Sequence, residues 1–286
     1  MRQTADTSAS SAANDSQRAA PWHPGCSARM DVTTAPEMAV DAWDRVATDY
    51  FQQVVSPFAG GVCVPLLRTL ERIPAARRKV AADFGCGTGP LLADLAVRFQ
   101  RVHAVDFSPG MLAQARVRCH RRNVQFHCVD LAALQRFRGR IDVAVTVNAV
   151  LTPDEARLEQ IFAGLHATLT KSGTLVGVFP AMEPVLYQGY LIHQRERQTA
   201  DAARARSRTN RILERTKYDF VHATYREDDA AQKFFYGFEL QHRLRRAGFK
   251  RIRLSKVTYP WNDTLGGYEK FPGEPPMWDW LVRAAA

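Results

Sequence analysis

The sequence lacks the cysteine patterns of disulfide-rich and zinc-stabilised folds. Its five cysteines are an odd number and none belongs to a C-x-x-C pair. No apolar run reaches the roughly 18 residues that a membrane-spanning helix needs, and the N-terminus has no apolar segment typical of a signal peptide. We therefore expect a protein of the reducing cytoplasm with no membrane partner.

Acidic residues are fewer than basic ones, 29 against 39, which gives a formal charge of +10. This balance permits an anionic partner such as nucleic acid or an acidic substrate, but it says nothing about fold. Many of the basic residues fall in helix-like runs, so a solvated basic surface explains them as well. With 286 residues and 46% hydrophobic content, the chain can form one large domain or two small ones.

Hydrophobic periodicity is missing from residues 1–36, which are rich in Ser, Ala, Thr and Asp. We expect this segment to be a disordered tail that precedes a single domain at 37–286. A transit peptide is the alternative. The acids Asp6 and Asp15 and the small number of arginines count against it.

A short apolar run from Val80 to Phe84 contains an acid, Asp83, next to its end. Glycines follow it at every second position, at Gly85, Gly87 and Gly89. The run has the length and apolarity of a strand buried on both faces, and the spacing of Leu91, Leu95 and Phe99 predicts a helix behind it. Glycines between the two allow a sharp turn with φ > 0. They also let a ligand approach the backbone N–H groups at the helix start.

The loop lacks the third glycine of the dinucleotide fingerprint G-x-G-x-x-G, because position 90 is proline. Its pattern is instead G-x-G-x-G, with Asp83 two residues before it. This pattern resembles the first motif of the class I S-adenosylmethionine-dependent methyltransferases. The resemblance implies that the loop lies beneath the methionine and ribose parts of S-adenosyl-L-methionine, with cofactor contacts from Asp83, Gly85, Cys86, Gly87 and Gly89.

The second predicted strand, 101–106, ends in Asp106. This acid lies about 20 residues after the first glycine, the distance at which a βαβ unit brings its second strand tip beside the first loop. A carboxylate there can accept hydrogen bonds from both ribose hydroxyls. The following residues, from Phe107 to Leu112, resemble the family's D-x-S-x-x-M-L, which implies that Phe107 and Met111 lie at the cofactor. A buried core methionine is the alternative for Met111.

The third predicted strand, 124–129, is followed by Asp130 and Leu131. By resemblance to the family, Asp130 takes the adenine amino group and the next backbone N–H reaches a ring nitrogen. Asp130 could equally cap a short helix at 132–135. Its register with the acids at the two preceding strand tips favours the cofactor site.

The fourth predicted strand, 141–147, has Asn148 at its tip. Open α/β sheets bind ligands beyond the carboxyl ends of their strands, so Asn148 should face the transferable methyl group and the substrate. The residues here read V-N-A-V-L, not N-P-P-Y or D-P-P-Y. This departure argues against methyltransferases that act on exocyclic base amines.

The resemblance extends over about residues 43–180. A helix at 155–169, a turn at 171–173 and a strand at 174–179 complete the fifth unit, and the spacing Trp43, Ala47, Tyr50 resembles the family's aromatic helix that closes over the cofactor. Core packing explains Tyr50 as well. The implied fold is α/β, a three-layer doubly wound sheet of about seven strands, with the last strand at 277–283 antiparallel beside the fifth.

Residues 181–217 do not belong to the minimal fold, and we expect them to form a helical lid that governs substrate choice. Tyr187 and His193 are candidate bases or substrate contacts, with a structural role as the alternative. The arginines of this segment could follow RNA phosphates or clamp an acidic small molecule. Interspersed acids at Glu196, Asp201 and Glu214 favour an ordinary solvated helix.

The sequence therefore predicts a methyltransferase that uses S-adenosyl-L-methionine, with a small molecule as the acceptor. An RNA methyltransferase and a cofactor-binding protein without catalysis are the alternatives. The catalytic residue is unknown, because methyl transfer needs mainly alignment and a general base only for acceptors of high pKa. No metal site is expected, since His103, His127 and His193 lack ligand-like spacing.

Overall fold

The computed structural model of the chain describes residues 62–227, 230–261 and 270–286. The predicted tail at 1–36, the aromatic helix with Tyr50 and residues 262–269, before the last strand, lie outside these residues. In chain order the elements are α1 (Val64–Glu71), β1 (Val80–Phe84), α2 (Leu92–Arg98), β2 (Arg101–Asp106), α3 (Pro109–Arg118), β3 (Val124–Cys128), β4 (Ile141–Val147), α4 (Glu155–Thr168), β5 (Leu169–Phe179), α5 (Glu183–Arg197), α6 (Ala202–Ile212), β6 (Tyr218–Asp219), β7 (Thr224–Glu227), β8 (Ala230–Lys233), α7 (Gly237–Arg246), β9 (Lys250–Tyr259) and β10 (Met277–Ala285). Short 3-10 helices lie at Ala76–Arg78, Gln135–Phe137 and Arg215–Lys217.

The main sheet has seven strands in the order β3-β2-β1-β4-β5-β10-β9. Strands β1 to β5 are parallel, and β10 runs antiparallel between β5 and β9. The strand order reverses between β1 and β4, which is the switch point where such sheets bind ligands. The predicted α/β sheet with an antiparallel last strand is confirmed.

Helices cover both faces of the sheet because the central strands are apolar on both sides. On one face Ala81 and Val102 pack with α1, α2 and α3, and on the other Ala82 and Val105 pack with α4 and α7. Adjacent residues of a strand point to opposite faces, so the two cores lie on either side of one sheet. The architecture is the predicted three-layer sandwich.

Strand β5 begins earlier than the sequence indicates. The predicted turn at 171–173 lies inside β5, where the register with β4 shifts between the pairs Ile141↔Leu169 and Val143↔Thr174. The extra residues form an irregularity in one strand, not a break between elements. A Gly-containing polar run has the same appearance in sequence whether it ends a strand or bulges from it.

The segment after β5 holds more than the expected helices. Helices α5 and α6 form within 181–217 as predicted, but β6, β7 and β8 then make a separate three-stranded antiparallel sheet. These strands are two to four residues long and polar, so their alternation is too short to be recognised. No helix of the described residues is long and apolar enough to cross a membrane.

Lys233 anchors the small sheet to the main body. Its side chain is 1% exposed, and Nζ donates to the His222 carbonyl at 2.7 Å and to the Glu239 carboxylate of α7 at 2.8 Å. Glu239 and Glu155 of α4 both bind Arg243. Burial lowers the pKa of Lys233, and the nearby Glu239 opposes this change. A buried cation with this set of acceptors fixes β8 against α7.

Candidate functional site

The glycine loop after β1 forms one wall of a pocket at the carboxyl edge of the sheet. The N–H groups of Gly85 and Cys86 donate to the Val105 carbonyl of β2 at 2.8 and 3.0 Å. Gly85 has φ +78°, and a Cβ there would lie 2.1 Å from Cβ of Ala149. Gly87 has φ +52° with no atom within 4 Å of an added Cβ, so it faces open space. Of these two glycines, Gly85 is the one that the packing of the protein itself requires.

Gly89 and Cys86 support the loop from behind. A Cβ on Gly89 would lie 2.8 Å from Leu92 Cδ1 and 3.1 Å from Ala115 Cβ, so this glycine lets α2 and α3 approach the loop. Cys86 is buried, and burial together with the acids Asp83 and Asp106 raises the pKa of its thiol. The thiol form is therefore favoured over the nucleophilic thiolate.

Asp106 lies at the tip of β2 beneath the loop. Its Oδ2 accepts a hydrogen bond from Gly87 N at 2.8 Å, and its Oδ1 accepts one from Ser108 N at 3.0 Å. These two N–H groups orient the carboxylate. Asp83, at the tip of β1, is 3% exposed, and burial followed by the charge of Asp106 raises its pKa to about 7.

The pocket encloses about 870 Å³, counting space open to solvent. Eight of the residues predicted to bind the cofactor line it: Gly85, Gly87, Asp106, Phe107, Met111, Asp130, Leu131 and Asn148. Asp83, Cys86 and Gly89 lie outside the lining, and Tyr50 lies outside the described residues. The cofactor roles of all these residues remain predictions.

Met111 is buried, as the core alternative predicts, and it also reaches the pocket, so its contact with the cofactor remains a prediction. Its side chain is 3% exposed and also lines the pocket beside Phe107. Ser108 caps α3 by accepting a hydrogen bond from Met111 N at 2.9 Å. The cap fixes the start of the helix and therefore the position of Met111 at the pocket wall.

Asp130 lies in the lining but does not cap a helix at 132–135. Its Oδ1 accepts a hydrogen bond from Ala132 N at 2.7 Å, which stabilises a turn, and Arg157 Nη2 of α4 lies 2.6 Å from its Oδ2. The sequence analysis missed Arg157, which also lines the pocket. The N-cap Asp154 begins α4 three residues earlier and so places Arg157 on its first turn.

Asn148 lies at the tip of β4 and is tied to the far end of the chain. Its Nδ2 donates to Asp279 Oδ2 of β10 at 3.0 Å, and the Tyr259 hydroxyl donates to the same oxygen at 2.5 Å. Asp279 Oδ1 accepts a hydrogen bond from Ala181 N at 3.2 Å. Burial raises the pKa of Asp279, while these three hydrogen bonds act in the opposite direction.

The other wall of the pocket comes from the loop after β4 and from the small sheet. Leu151 and Thr152 line it together with Ala231 and Gln232 of β8. The Lys233 N–H donates to the Leu151 carbonyl at 2.8 Å, which joins the two segments. No residue of 181–217 is in the lining, so the described wall comes from β8 and not from the predicted helical lid. Closure of the lid over the site remains a prediction.

Tyr187 and His193 also lie away from the lining. The Tyr187 hydroxyl is 3.4 Å from Glu274 Oε2, and its ring centroid is 6.3 Å from that of Trp278. His193 Nδ1 lies 3.4 Å from Thr209 Oγ1, at the contact between α5 and α6. Contact with a substrate in this pocket would require movement of either side chain, and their substrate roles remain predictions.

The basic helices at 183–212 contain several ion pairs. Glu196 lies 3.5 Å from both Arg195 and Arg208, and Arg204 lies 3.4 Å from Asp201. These pairs match the interpretation of the arginines as a solvated helical surface.

His103 of β2 and His127 of β3 lie side by side, with 2.9 Å between Nδ1 and Nε2. Burial lowers the pKa of both imidazoles, that of His103 to about 4, and each also lies near positive charge. Sequence spacing did not indicate the pair because β2 and β3 bring distant positions together. In the described part of the chain, no group of three or more His, Cys, Asp or Glu residues is arranged to hold a metal.

Comparisons with known proteins agree with this geometry. A family model described as a methyltransferase domain matches residues 81–173. The chain is 38% identical over 73 residues to malonyl-[acyl-carrier protein] O-methyltransferase of Bacillus anthracis, covering 24% of this chain and 27% of that protein. It is 36% identical over 107 residues to trans-aconitate 2-methyltransferase of Methylobacterium radiotolerans, covering 36% and 40%. The matches thus span less than half of either relative.

The fold is shared with solved structures over a longer stretch. A structure described as the DhpI–SAH complex aligns with a TM-score of 0.53 and 16% identity, covering 86% of this chain and 94% of that one. At this identity the similarity concerns the fold. Its extent shows that the common architecture continues beyond the segment matched by the family model. Residues 81–173 thus match a methyltransferase domain, and the sheet order and fold of the chain are those of the class I, Rossmann-like S-adenosylmethionine-dependent methyltransferases.

Proposed function

We propose that the protein transfers a methyl group from S-adenosyl-L-methionine to a small-molecule acceptor. The observation that carries this proposal is the Asp106 carboxylate, which two backbone N–H groups hold at the floor of the pocket beneath the glycine loop. A carboxylate fixed at this point suits a ligand that presents adjacent hydroxyls, as a ribose does.

The remaining lining residues fit the adenosyl group. Gly87 faces open space where a side chain would intrude, and Phe107 and Met111 offer apolar contact to a flat base. Asp130, oriented by Ala132 N and Arg157, would accept a hydrogen bond from the adenine amine. The cofactor supplies a methyl group already activated on a sulfonium.

The protein's task is then to align an acceptor with that methyl group and to exclude water. Leu151, Thr152, Ala231 and Gln232 form the wall that would do so, at the carboxyl edge of β4. The titratable residues of the described lining are Asp106, Asp130 and Arg157, and both acids already have proposed cofactor roles. An acceptor that is already ionised near neutral pH, such as a carboxylate, needs no further base.

The names of two curated relatives support a carboxylic acid derivative as the acceptor, carried on a protein in one name and free in the other. They are a malonyl carrier-protein methyltransferase and a trans-aconitate methyltransferase, and both names describe derivatives of carboxylic acids. The ion pairs of α5 and α6 give no comparable support for RNA.

Calorimetry with S-adenosylmethionine and S-adenosylhomocysteine tests the cofactor site. We expect the wild-type protein to bind both, and Asp106→Ala to weaken binding by about 100-fold or more, because two charge-assisted hydrogen bonds are lost. Asp201→Ala is the matched control, since Asp201 also accepts a backbone N–H, at the start of α6, and lies outside the pocket lining. Absence of cofactor binding by the wild type, or unchanged affinity of Asp106→Ala, would contradict the proposal.

Incubation with methyl-labelled cofactor and fractionated cell extract tests the acceptor. We expect label in the small-molecule fraction and most of it in base-labile form, as methyl esters are. Label in RNA would instead support the alternative function, an RNA methyltransferase. Cofactor binding with no transfer to any fraction would indicate a binding protein without catalysis.

A further inference from the structure

Asn148 has an unusual backbone conformation at the pocket. Its φ is +47°, in the left-handed region that few non-glycine residues adopt, although asparagine does so more often than most. Its N–H donates to the Val178 carbonyl of β5 at 2.9 Å. Backbone strain of this kind persists where surrounding contacts determine the conformation, and such positions cluster at ligand sites. The contacts of the Asn148 side chain show what this backbone conformation positions.

The Asp279 carboxylate determines which way the Asn148 amide points. Three hydrogen bonds reach this carboxylate, and the one from Ala181 N has an unambiguous donor. Ala181 N donates to Oδ1, and the Tyr259 hydroxyl and Asn148 Nδ2 both donate to Oδ2, so the carboxylate is the acceptor of all three bonds and Asn148 gives it an Nδ2 hydrogen. The amide oxygen is then directed away from Asp279. An amide with no such partner could rotate and exchange its two ends.

The amide oxygen has no partner within the described part of the chain. Asn148 Oδ1 is buried and makes no hydrogen bond there, although the residue lines the pocket. Buried acceptors in native proteins are nearly always paired, so an unpaired one calls for an explanation. A hydrogen-bond donor on the bound ligand supplies that explanation. The amide oxygen, which is unsatisfied in the free protein, then gains a hydrogen bond on binding.

The cofactor has one strong donor that the other residues do not account for. Under the function proposed above, Asp106 receives the ribose hydroxyls and Asp130 the adenine amine, which leaves the α-ammonium. We propose that Asp279 is a positioning residue, which turns the Asn148 amide oxygen so that it accepts a hydrogen bond from the α-ammonium of the cofactor. The two residues are 131 positions apart, so this end of the cofactor site is completed by the last strand.

Two related ligands separate this role from a general effect on the fold. S-adenosylhomocysteine carries the ammonium, whereas 5′-methylthioadenosine has the same adenosine and sulfur but no amino-acid part. In Asp279→Asn the acceptor becomes an amide that can itself donate, so the orientation of Asn148 is no longer fixed. Calorimetry should show S-adenosylhomocysteine binding weakened about 10- to 100-fold, with methylthioadenosine binding unchanged within about threefold.

A double-mutant cycle tests whether Asp279 acts through Asn148. Asn148→Gly removes the amide while allowing the left-handed backbone, and in that background Asp279→Asn should have almost no further effect on S-adenosylhomocysteine affinity. Asp142→Asn is the matched control: Asp142 accepts hydrogen bonds from Val80 N and Thr170 at the opposite end of β4, so both affinities should remain as in the wild type.

The outcomes are distinct. Equal weakening of both ligands by Asp279→Asn, no weakening of either, or additive effects in the cycle would overturn the positioning role while leaving the proposed function intact. Failure of the wild type to bind either ligand would instead reject the cofactor site itself. Thermal unfolding of each variant confirms that the comparison is made on folded protein.

Discussion

The two walls of the pocket are assembled over very different distances along the chain. One wall is formed by the glycine loop and Asp106, and we call it the cofactor wall after its proposed role; the hydrogen bond between Gly87 N and Asp106 Oδ2 joins residues 19 positions apart. The opposite wall, which we call the acceptor wall after its proposed role, joins Leu151 to Lys233 of β8 through a backbone hydrogen bond. Asn148, at the end of the pocket that we assign to the cofactor's ammonium, meets Asp279 across 131 residues. One wall follows from consecutive βα units, while the other requires distant segments to meet.

This difference explains which residues of the pocket can be predicted from the sequence. Consecutive parallel strands bring their carboxyl ends to one edge, so acids at those ends form a group for geometric reasons alone. On the acceptor wall the partners are set by the tertiary fold of an inserted segment. Residues there can change without disturbing the sheet, which suits a wall that selects among acceptors.

The largest effect is expected for Gly85→Ala on the cofactor wall. The new Cβ would lie 2.1 Å from Ala149 Cβ at a φ of +78°, so clash and backbone strain add. We expect a loss of about 3–5 kcal/mol of unfolding free energy, measured by denaturant titration.

Gly87→Ala is the matched control for this prediction. Its φ is also positive, at +52°, but an added Cβ meets no atom within 4 Å. Its stability should fall by only about 1–2 kcal/mol, while S-adenosylhomocysteine affinity falls because the methyl group enters the pocket. Equal stability losses in the two variants would show that packing does not distinguish the two glycines.

Lys233→Met tests whether the acceptor wall is stabilised separately. The change removes the buried Nζ contact with Glu239 and leaves the His222 carbonyl without that donor, so we expect a loss of about 2–4 kcal/mol. Hydrogen exchange should accelerate in β6, β7 and β8 and remain unchanged in β1 to β3.

Lys217→Met provides the comparison for a partly exposed lysine. Lys217 lies 3.0 Å from Glu214 in an i,i+3 pair, and its loss should cost no more than about 0.5 kcal/mol.

Methylthioadenosine affinity should be nearly unchanged in Lys233→Met. A parallel loss of protection in both walls would mean that they unfold as one unit.

The sequence was informative where its signals are local. The strand tips with Asp106, Asp130 and Asn148 were predicted from apolar runs, and all three residues line the pocket. Arg157 was missed because nothing near it in sequence marks an ion pair with Asp130. Residues Ala231 and Gln232 were missed because their strand is short. The partner of Asn148 was missed because the predicted antiparallel pairing of the last strand with the fifth did not fix its register.

The smallest effect concerns the pH dependence of stability, and it is specific to the cofactor wall. Asp83 has a pKa of about 7 in the folded protein, above its value near 4 when unfolded, because it is buried beside Asp106. At pH values between these two pKa values, the Asp83 carboxyl is protonated in the folded state and ionised in the unfolded state. Rising pH therefore favours unfolding, and this group should lower the unfolding free energy by about 1.4 kcal/mol per pH unit between pH 5 and 6.

Asp83→Asn removes that titration, so the difference between the stability curves of wild type and variant isolates it from all other groups. The variant should lose less stability than the wild type as the pH rises through this interval, measured by denaturant titration at closely spaced pH values. Parallel curves would show that Asp83 is ionised in both states. The cofactor wall would then carry two buried negative charges before any ligand binds, and a cationic ligand would be bound without proton release at Asp83.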